Sequence, residues 1–494
     1  MFFTINGEMQ DIERILKDGA QSAATIEQII QLEIGDWRAS EKRVWMFIGD
    51  RYYRNKTDIL ERKRTAIGSS GAKELVGNLS NNKLANGFVR KLVDQKVGYL
   101  LGKPMSIQAQ PDAYQAALNA IFNEDMLRRL QSICKEAVNK GIAWLHVYYD
   151  EAGALSFKKM RSEEIIPLWR DDAHTILDAL IRDYEVVAYE GMRRTTVRKI
   201  EWWDTHGVRR YIVNGTGLAP DVEAGAEEAH FSVVAAEQEQ PMNWERIPFI
   251  AWKYNEEEQP LVEIIKSLVD DYDKRKSDNS NNLEDLPDSI YVVKNYGGTN
   301  AGEFRKNIAT YRTAFVEADG GVDTIGLDMS TEAYKAHQEQ NRKDIYEFGR
   351  GVDTQATNFG SAPSGVALRF LYGDLDLDAS TIETEFQASL EQLRWFIDTH
   401  LFNTTGADYS GEKVTFIFNR DMPVDESSVI GDIKNSVGIL SDETLVAQHP
   451  YVTDVQAELD RIKKQKEDAL AEMQQYGGMG GGDPNALDGS GTEG

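Results

Sequence analysis

Two long stretches with helical periodicity, separated by a short stretch with strand character, restrict the fold of this chain more than any other feature. Residues 261–286 place apolar side chains at helical spacing and end before Pro287, so they predict one helix. Residues 331–353 predict a second helix. Between them, SIYVVKNYGG and AFVEADGGVDTIGLD predict strands on either side of a helix at 301–314. The chain should therefore contain two long helices that bracket a compact, β-containing insert.

The residues before this helix pair alternate between helix and strand patterns. Residues 26–53 and 82–101 predict helices, whereas IAWLHVYYD and ALSFKKM predict a β-hairpin that turns at 151–153. TTVRKIEWWDTHGVRRYIVNG predicts a second hairpin that turns at 204–207. Because 494 residues exceed the size at which one core usually stops growing, we expect more than one unit. Residues 1–250 should form the first, of α+β class.

The C-terminal part of the chain is helical in its pattern. The polar loop TQATNFGSAPSG leads to a short helix and then to a long one at 381–402. A further amphipathic helix carries Val455, Leu459, Ile462, Leu470 and Met473. Of the last 18 residues, 8 are glycine, so we expect a disordered tail at 477–494.

Charge and cysteine content exclude several functions. The net charge of −26 opposes tight, sequence-independent binding to DNA or to an anionic membrane. The single cysteine, Cys134, excludes an internal disulfide and a zinc site built from cysteines. The chain has no apolar run of about eighteen residues and no N-terminal secretion pattern, so neither a membrane span nor a secretion signal is predicted.

One short stretch, VGYLLGKPM at 97–105, looks at first like a nucleotide-binding loop. Gly98 and Gly102 enclose three residues, whereas the phosphate loop requires four before its Gly-Lys pair. Pro104 follows the lysine, and it offers neither a hydroxyl for magnesium nor an N–H for phosphate. The histidines are scattered, and no Gly-x-Ser-x-Gly elbow occurs. We therefore predict no catalytic residue and no cofactor.

A weak metal candidate lies in DLDLDASTIETE, where four carboxylates fall at positions 1, 3, 5 and 12 of the calcium-loop template. They are Asp374, Asp376, Asp378 and Glu385. The template needs glycine at position 6, where this chain has Ala379. The alternative is that Ser380 and Glu383 form a capping box for the helix at 381–402, with the aspartates complementing its positive end. This alternative explains more of the residues.

Two basic segments stand out against the acidic background. Residues 42–64 hold eight Lys or Arg against three acids. In residues 83–103, five basic residues face only Asp94; they are Lys83, Arg90, Lys91, Lys96 and Lys103. These segments could contact phosphates, or they could complement acidic surfaces of the same protein in an oligomer. The second interpretation is favoured, because DNA-binding patches usually belong to basic domains.

Four stretches, in order, resemble those of the portal proteins of tailed double-stranded DNA bacteriophages, in the branch typical of long non-contractile tails. They are YYRNKTDILERKR, NNKLANGFVRKLVDQKVGYLLGKPMSI, GIAWLHVYYDEAGALSFKKMRSEEIIPLW and SGVALRFLYGDLDLDASTIETEFQASLEQL. Their order and spacing, from residue 52 to about residue 393, carry the resemblance. One departure is that the family often has a basic residue near the start of the long helix, where this chain has Asp374, Asp376 and Asp378.

The resemblance implies a homododecameric ring around a central channel at one capsid vertex. It also implies a portal-like fold with an α/β wing, two stem helices, a small β-containing clip and a C-terminal helical crown. The expected segments are the wing (1–258 and 365–439), the first stem helix (259–286), the clip (287–329), the second stem helix (330–353), the tunnel loop (354–364) and the crown (440–476). VGYLLGKP would then close a helix of the wing.

The resemblance also assigns functional residues. The DNA-facing tunnel loop would present Gln355, Thr357, Asn358 and Phe359. The clip would contact the packaging ATPase through Lys294, Tyr296 and Arg305. The stem would place Lys335, Arg342, Lys343 and Arg350 towards the channel. An uncharged loop and an acidic wall suit a duplex that must slide, because neutralising many phosphates would bind it tightly.

The partners implied by the resemblance are the terminase large subunit, a head-completion or adaptor protein, the scaffold and major capsid proteins, and double-stranded DNA that passes without sequence preference. No membrane partner is implied. The protein would be assembled in the host cytoplasm and reside in the virion at the portal vertex. Two alternatives stay open at this point: a metal-dependent nucleic-acid enzyme that uses Asp374, Asp376 and Asp378, and a structural head protein without a channel.

Overall fold

The computed structural model describes most of the chain. The described residues are 23–67, 72–75, 80–215, 217–235, 238–284, 289–296, 300–307, 316–326, 331–355, 370–420, 426–452 and 455–477. Helices and antiparallel strands are both abundant among them, so the predicted α+β class is confirmed. Among the described helices, none is both long enough and apolar enough to cross a lipid bilayer.

Helices dominate both ends of the described chain, and strands dominate its middle. The helices are α1 (Ala23–Ala39), α2 (Glu41–Tyr53), α3 (Phe88–Leu101), α4 (Asp112–Ile121), α5 (Glu124–Lys140), α6 (Leu261–Glu284), α7 (Ala301–Lys306), α8 (Thr331–Phe348), α9 (Gly373–Thr405), α10 (Glu426–Ser436), α11 (Asp442–Ala447) and α12 (Val455–Gly477). The strands are β1 (Thr65–Ile67), β2 (Lys73–Leu75), β3 (Ser106–Ala109), β4 (Ile142–Tyr149), β5 (Leu155–Met160), β6 (Ile165–Trp169), β7 (Leu177–Glu190), β8 (Arg193–Asp204), β9 (Gly207–Asn214), β10 (Gly217–Pro220), β11 (Glu227–Glu228), β12 (Phe231–Ala235), β13 (Gln238–Met242), β14 (Phe249–Lys253), β15 (Ser289–Tyr296), β16 (Val316–Gly326) and β17 (Val414–Ile417).

The strands form one large sheet and several small ones. The large sheet is antiparallel with the order β10-β9-β8-β7-β6, and β11 pairs with β9. A second sheet has the order β14-β4-β5. The two predicted hairpins are confirmed as β4–β5 and β8–β9. The insert between α6 and α8 contains the antiparallel pair β15–β16, as the sequence predicts.

Both faces of the large sheet are covered, because its strands alternate side chains between two cores. On one face, α1 packs Ile30 and Ile34 into a cluster with Trp202. On the other face, Trp169 stacks on Trp144 of β4 at 5.8 Å between ring centroids. The large sheet therefore joins α1 to the smaller sheet.

A third core lies among the long helices. It contains Leu92 of α3, Ile133 of α5, Ile265 of α6, Ile345 of α8 and Leu390 of α9, all with no exposed surface. Full burial of such a side chain stabilises a fold by about 1.5–3 kcal/mol. This cluster attaches the α6–α8 pair to the N-terminal half of the chain.

Two helix boundaries differ from the sequence prediction for local reasons. The predicted helix at 26–53 is two helices, because Ser40 has extended backbone and its side chain caps α2 by accepting the N–H of Arg43. The predicted helix at 381–402 begins much earlier, at Gly373. Ser380 and Glu383 lie inside α9, so the predicted capping box is wrong.

Other boundaries shift by smaller amounts. The two long helices predicted at 261–286 and 331–353 are confirmed as α6 and α8, and α8 ends at Phe348. The helix predicted at 301–314 is described from Ala301 to Lys306. The helix predicted at 82–101 begins only at Phe88, because the residues before it run extended along α6. The predicted tail lies outside the described residues, except for Gly477.

Candidate functional site: the seat of the segment between α8 and α9

One face of α3 holds the chain where it leaves α8 and where it enters α9. The α3 helix is apolar along most of its length and ends at Leu101, before the stretch Gly102-Lys103-Pro104 that cannot continue it. Its polar side chains face the two flanks of residues 356–369, which lie outside the described residues. We call this face of α3, formed by Leu92, Gln95, Lys96 and Tyr99, the seat.

Gln95 binds the main chain of the first flank through both ends of its amide. Its Nε2 donates to the carbonyl oxygen of Val352 at 2.8 Å, and its Oε1 accepts the N–H of Val352 at 3.2 Å. Val352 is itself buried. One side chain therefore satisfies both backbone groups of a residue that no longer has helical partners.

Lys96 links the two flanks to each other. Its Nζ lies 2.7 Å from Oδ2 of Asp378 in α9 and donates to the carbonyl oxygen of Arg350 at 3.2 Å. The hydroxyl of Tyr254 also donates to Asp378, at 3.0 Å. Burial lowers the pKa of Lys96 and raises that of Tyr254. The buried charge of Asp378 is thus met by one ammonium and one hydroxyl.

Two glycines let the chain lie directly on the seat after α8 ends. A Cβ atom added to Gly351 would stand 2.1 Å from Cδ2 of Leu92, and one added to Gly349 would stand 2.7 Å from Cδ1 of the same residue. Arg350, between them, has a left-handed φ of 47°. The turn is therefore tight because Leu92 fills the space that side chains at 349 and 351 would need.

Tyr99 fixes the second flank at the first turn of α9. Its hydroxyl donates to Oδ1 of Asp376 at 2.7 Å, and its ring stacks on Tyr372 at 6.1 Å between centroids. Arg420 contacts the same carboxylate and also donates to Oε2 of Glu383 at 2.7 Å. Burial opposes the ionised form of Asp376, but the hydrogen bonds from Tyr99 and Arg420 lower its pKa overall.

The α6–α8 pair is held by polar side chains of α8 that bind α6. Nδ2 of Asn341 donates to the carbonyl oxygen of Leu268 at 3.2 Å. Nε2 of His337 lies 2.8 Å from Oδ2 of Asp271. These contacts lie along one side of α8, so the two helices have a defined register.

The four predicted stem charges have different environments. Arg342 binds Asp353 with two parallel contacts of 2.7 Å, and this hydrogen bonding raises the pKa of Arg342. The guanidinium of Arg350 lies 3.7 Å from Asp378. Lys335 and Lys343 are exposed. Within the described residues, Arg342 is therefore engaged at the end of α8, whereas the two lysines face solvent.

The predicted loop and clip residues are only partly described. The N–H of Gln355 donates to Oδ1 of Asp353 at 3.0 Å. Thr357, Asn358 and Phe359 lie outside the described residues. In the insert, Lys294 is exposed and its Nζ lies 3.1 Å from Asp323 on the neighbouring strand. Tyr296 ends β15, and Arg305 lies in α7.

The four carboxylates of the weak metal candidate lie on one helix and do not form a calcium loop. Asp374 and Asp376 lie in the first turn of α9, Asp378 follows in the next, and Glu385 lies further along the helix. Asp376 is bound by Arg420, and Asp378 by Lys96. Across the described parts of the chain, no three His, Cys, Asp or Glu side chains are grouped closely enough to hold a metal ion.

Many residues of the basic segments find partners within the same chain. Arg62 contacts Asp278 of α6, Arg51 lies 2.5 Å from Asp58, and Lys83 donates to the carbonyl oxygen of Leu60 at 2.8 Å. Neither of the two interpretations of these segments includes this pairing. Arg62 therefore attaches its segment to the acidic helix α6, whereas Arg51 and Lys83 bind residues close to them in the chain.

Sequence reasoning missed the seat, although a signal for it exists. Lys96 follows Leu92 by one helical turn and so falls within the apolar stripe of α3. Asp378 lies between Leu375 and Ile382 on the stripe of α9. A single charge in an apolar stripe needs a buried partner, and these two charges have opposite signs. Their pairing could have been predicted on that ground.

Comparison with known proteins identifies the class. A family model described as "Phage portal protein, SPP1 Gp6-like" matches residues 46–472. The chain is 30% identical to the portal protein of Bacillus phage SPP1, over 90% of this chain and 86% of that protein. It is 29% identical to the portal protein of Clostridium phage phiCD119, over 82% of this chain and 89% of that protein.

The chain is therefore a portal protein of bacteriophage type, a structural component of the virion and not an enzyme. Within this class, it belongs to the SPP1 Gp6-like family of phage portal proteins.

Solved structures with some similarity come from gene transfer agent particles. One is the neck of an empty particle computed with C6 symmetry, with a TM-score of 0.42 and 13% identity, over 73% of this chain and 88% of that chain. Another is the neck of a native particle computed with C12 symmetry, with a TM-score of 0.39 and 13% identity, over 74% of this chain and 90% of that chain.

Proposed function

We propose that this portal protein assembles into a homododecameric ring at one capsid vertex and that double-stranded DNA passes through its central channel during packaging and ejection. The observation that carries the proposal is the seat. Both flanks of residues 356–369 are attached to α3, by Gln95 and Lys96 on one side and by Lys96 and Tyr99 on the other. A loop on such a fixed base can face a moving duplex while its attachments stay in place.

The order of elements supports the assignment of parts. Residues 1–258 and 365–439 form the wing, and the stem helices at 259–286 and 330–353 contain α6 and α8. The insert at 287–329 is the clip, residues 354–364 are the tunnel loop, and 440–476 form the crown. Support comes from the long α6 and α8, from the β15–β16 pair between them, and from α11 and α12 at the C-terminal end.

Of the four stem charges that the resemblance assigns, this proposal offers two to DNA. Lys335 and Lys343 are the stem charges offered to phosphates, because both are exposed on α8. Arg342 has a structural role at Asp353 instead. With a chain charge of −26, such a channel binds DNA weakly and without sequence preference. Weak binding lets the duplex slide.

The clip is the part that meets the terminase large subunit, through Lys294, Tyr296 and Arg305. The exposed side chain of Lys294 supports this placement. The ring nucleates head assembly with the scaffold and major capsid proteins in the host cytoplasm, and later binds a head-completion or adaptor protein. ATP hydrolysis belongs to the terminase, because the chain lacks a phosphate loop.

The tunnel loop is the DNA-facing element, with Gln355, Thr357, Asn358 and Phe359. Replacing Asn358 with Lys should add twelve positive charges to the channel and slow DNA movement, with relief at higher salt. Replacing Phe359 with Ala should cause a defect with little salt dependence. Wild-type packaging by Asn358→Lys rings at low salt would remove this loop from the channel.

Light scattering and negative-stain imaging of the purified protein test the ring itself. The expected particle is a ring with a central hole and a mass many times that of the 55.6 kDa chain. A species of one chain only, at micromolar concentration and ordinary salt, would contradict the proposal. Assemblies without a central hole would favour a structural head protein without a channel.

A further inference from the structure

Residues 82–86 run in extended conformation along α6, and three side chains of that helix accept their alternate N–H groups. Oδ1 of Asn281 accepts the N–H of Asn82 at 2.6 Å. Oγ of Ser277 accepts that of Leu84 at 2.9 Å, and Oδ1 of Asp273 accepts that of Asn86 at 3.0 Å. We call residues 82–86 the strap. It runs antiparallel to α6.

The spacing of the three acceptors along α6 matches the spacing of the three N–H groups along the strap, which explains why every contact can form. Asp273, Ser277 and Asn281 are four residues apart, and four residues of helix rise by about 6 Å. Asn82, Leu84 and Asn86 are two residues apart, and two extended residues span about 6.6 Å. The three acceptors thus replace the neighbouring strand that an extended segment would otherwise need.

All three acceptors are buried, so their hydrogen bonds are shielded from water. Asp273, Ser277 and Asn281 have 0%, 0% and 1% of their surface exposed. Asp273 has further donors in the side-chain amide of Asn86 at 2.7 Å and the hydroxyl of Thr57 at 2.6 Å. The cost of leaving any of these groups unpaired favours the attached state.

The other side of the strap is held by the residues before β1. Nζ of Lys83 donates to the carbonyl oxygen of Leu60, and Nδ2 of Asn55 lies 3.5 Å from the carbonyl oxygen of Ala85. The strap is therefore enclosed between α6 and residues 55–64. This enclosure prevents it from swinging away from α6 as a simple surface loop could.

Only Gly87 separates the strap from α3, so little slack remains between them. Phe88, the first residue of α3, packs edge-on against Tyr272 of α6, with 4.8 Å between ring centroids. The seat lies two turns further along the same helix, at Gln95 and Lys96. A displacement of α6 is thus transmitted to the strap, to α3 and to the seat.

We propose that Asp273, Ser277 and Asn281 are positioning residues that fix α3 to α6, so that the seat of the segment between α8 and α9 moves with α6. The link does not use the direct contacts between α6 and α8. Its consequence for DNA passage rests on the proposed function, in which α6 is a stem helix and the seated segment contains the tunnel loop.

Hydrogen exchange of backbone amides in the full-length protein tests the link. In the wild type, the N–H groups of Leu84 and Val352 should both exchange slowly. Ser277→Ala removes the acceptor of Leu84, so this amide should exchange about fivefold faster. The amide of Val352, which binds Gln95 on the seat, should also exchange faster, while amides of β8 stay unchanged. If the role of Ser277 is confined to the strap, Ser277→Ala will leave the exchange rate of the Val352 amide unchanged.

Ser267→Ala is the matched control, because Ser267 is exposed on the same helix. It should change neither amide. Asn281→Ala repeats the test at the other end of the strap if Ser277→Ala fails to fold. The proposal is overturned if Val352 keeps its wild-type rate when Leu84 or Asn82 is accelerated, or if these strap amides exchange freely in the wild type. Negative-stain images of each variant test the ring separately, so failure of the proposed function is distinguishable.

Discussion

Nζ of Lys96 lies 2.7 Å from Oδ2 of Asp378, and 1% and 6% of the two side chains are exposed to solvent. The pair joins α3 to α9 across 282 residues of sequence. Removing two charges from water costs free energy, and the attraction between them offsets this cost only with good geometry and further hydrogen bonds. Tyr254 and the carbonyl oxygen of Arg350 supply those bonds.

Lys96→Met should destabilise the protein by about 3–5 kcal/mol, because it leaves the carboxylate of Asp378 buried without its ammonium partner. Urea unfolding at neutral pH measures the change. Lys91→Met, the same substitution at a more exposed position of α3, should cost less than about 1 kcal/mol. The double variant Lys96→Met/Asp378→Leu should recover part of the loss. Equal losses for Lys96→Met and Lys91→Met would refute the importance of this pair.

Arg342→Gln should lower the free energy of unfolding by about 1–2 kcal/mol, because it removes two charge-assisted hydrogen bonds to the partly buried Asp353. Lys343→Gln, at the neighbouring exposed position, should change it by less than about 0.5 kcal/mol. The hydrogen bonds from Arg342 lower the pKa of Asp353, so Arg342→Gln should also raise that pKa in an NMR titration. If both variants unfold like the wild type, Arg342 has no structural role at the end of α8.

The ionised carboxylate of Glu258 should stabilise the fold, and this contribution should be lost in acid. Burial raises its pKa, but Lys42 and His174, whose Nδ1 is 2.7 Å away, together lower it from 4.5 to about 2. A lowered pKa gives stability that is present above pH 4.5 and is lost as the pH falls towards 2. The stability advantage of the wild type over Glu258→Gln should therefore shrink by about 2 kcal/mol between about pH 5 and pH 3. Urea unfolding at both pH values checks this, and a constant advantage would contradict the predicted charge state.

Lys294→Glu should impair packaging without destabilising the protein. Lys294 and Asp323 are 64% and 66% exposed, so losing their pair should change stability by less than about 1 kcal/mol. Rings should form, and packaging by the terminase should fall. The charge-swapped variant Lys294→Glu/Asp323→Lys restores the cross-strand pair and should still package poorly. Full packaging by either variant would exclude Lys294 from the terminase contact.

Period-based reasoning predicted several of the elements because side-chain spacing determines them locally. The α6 and α8 helices, the β4–β5 and β8–β9 hairpins and the β15–β16 pair were all predicted in their correct order. These elements bury one stripe or face each, and the sequence shows that pattern directly. The family was also predicted correctly, from the order of four stretches.

Sequence reasoning failed where distant side chains decide the local structure. Leu84 extends the apolar stripe of α3, so residues 82–87 were predicted as helix, but Asp273, Ser277 and Asn281 bind them in extended form. The aspartates of α9 were interpreted as residues at a helix start, although Asp378 lies inside the helix and pairs with Lys96. No local pattern identifies these partners, because they lie about 200 residues or more away. The roles of Asn358 and Phe359 stay predictions.

The attachment of both flanks to one helix also bears on how the family can vary. Because residues 350–352 and 376–378 are bound to α3, the chain between them starts and finishes on a common base. Doubling the length of a closed loop costs only about 0.6 kcal/mol in chain entropy. Relatives can therefore lengthen or shorten this stretch with little effect on the surrounding fold. For the same reason, a peptide tag inserted between residues 355 and 370 should leave the surrounding fold intact, whereas in the proposed channel it should obstruct the duplex.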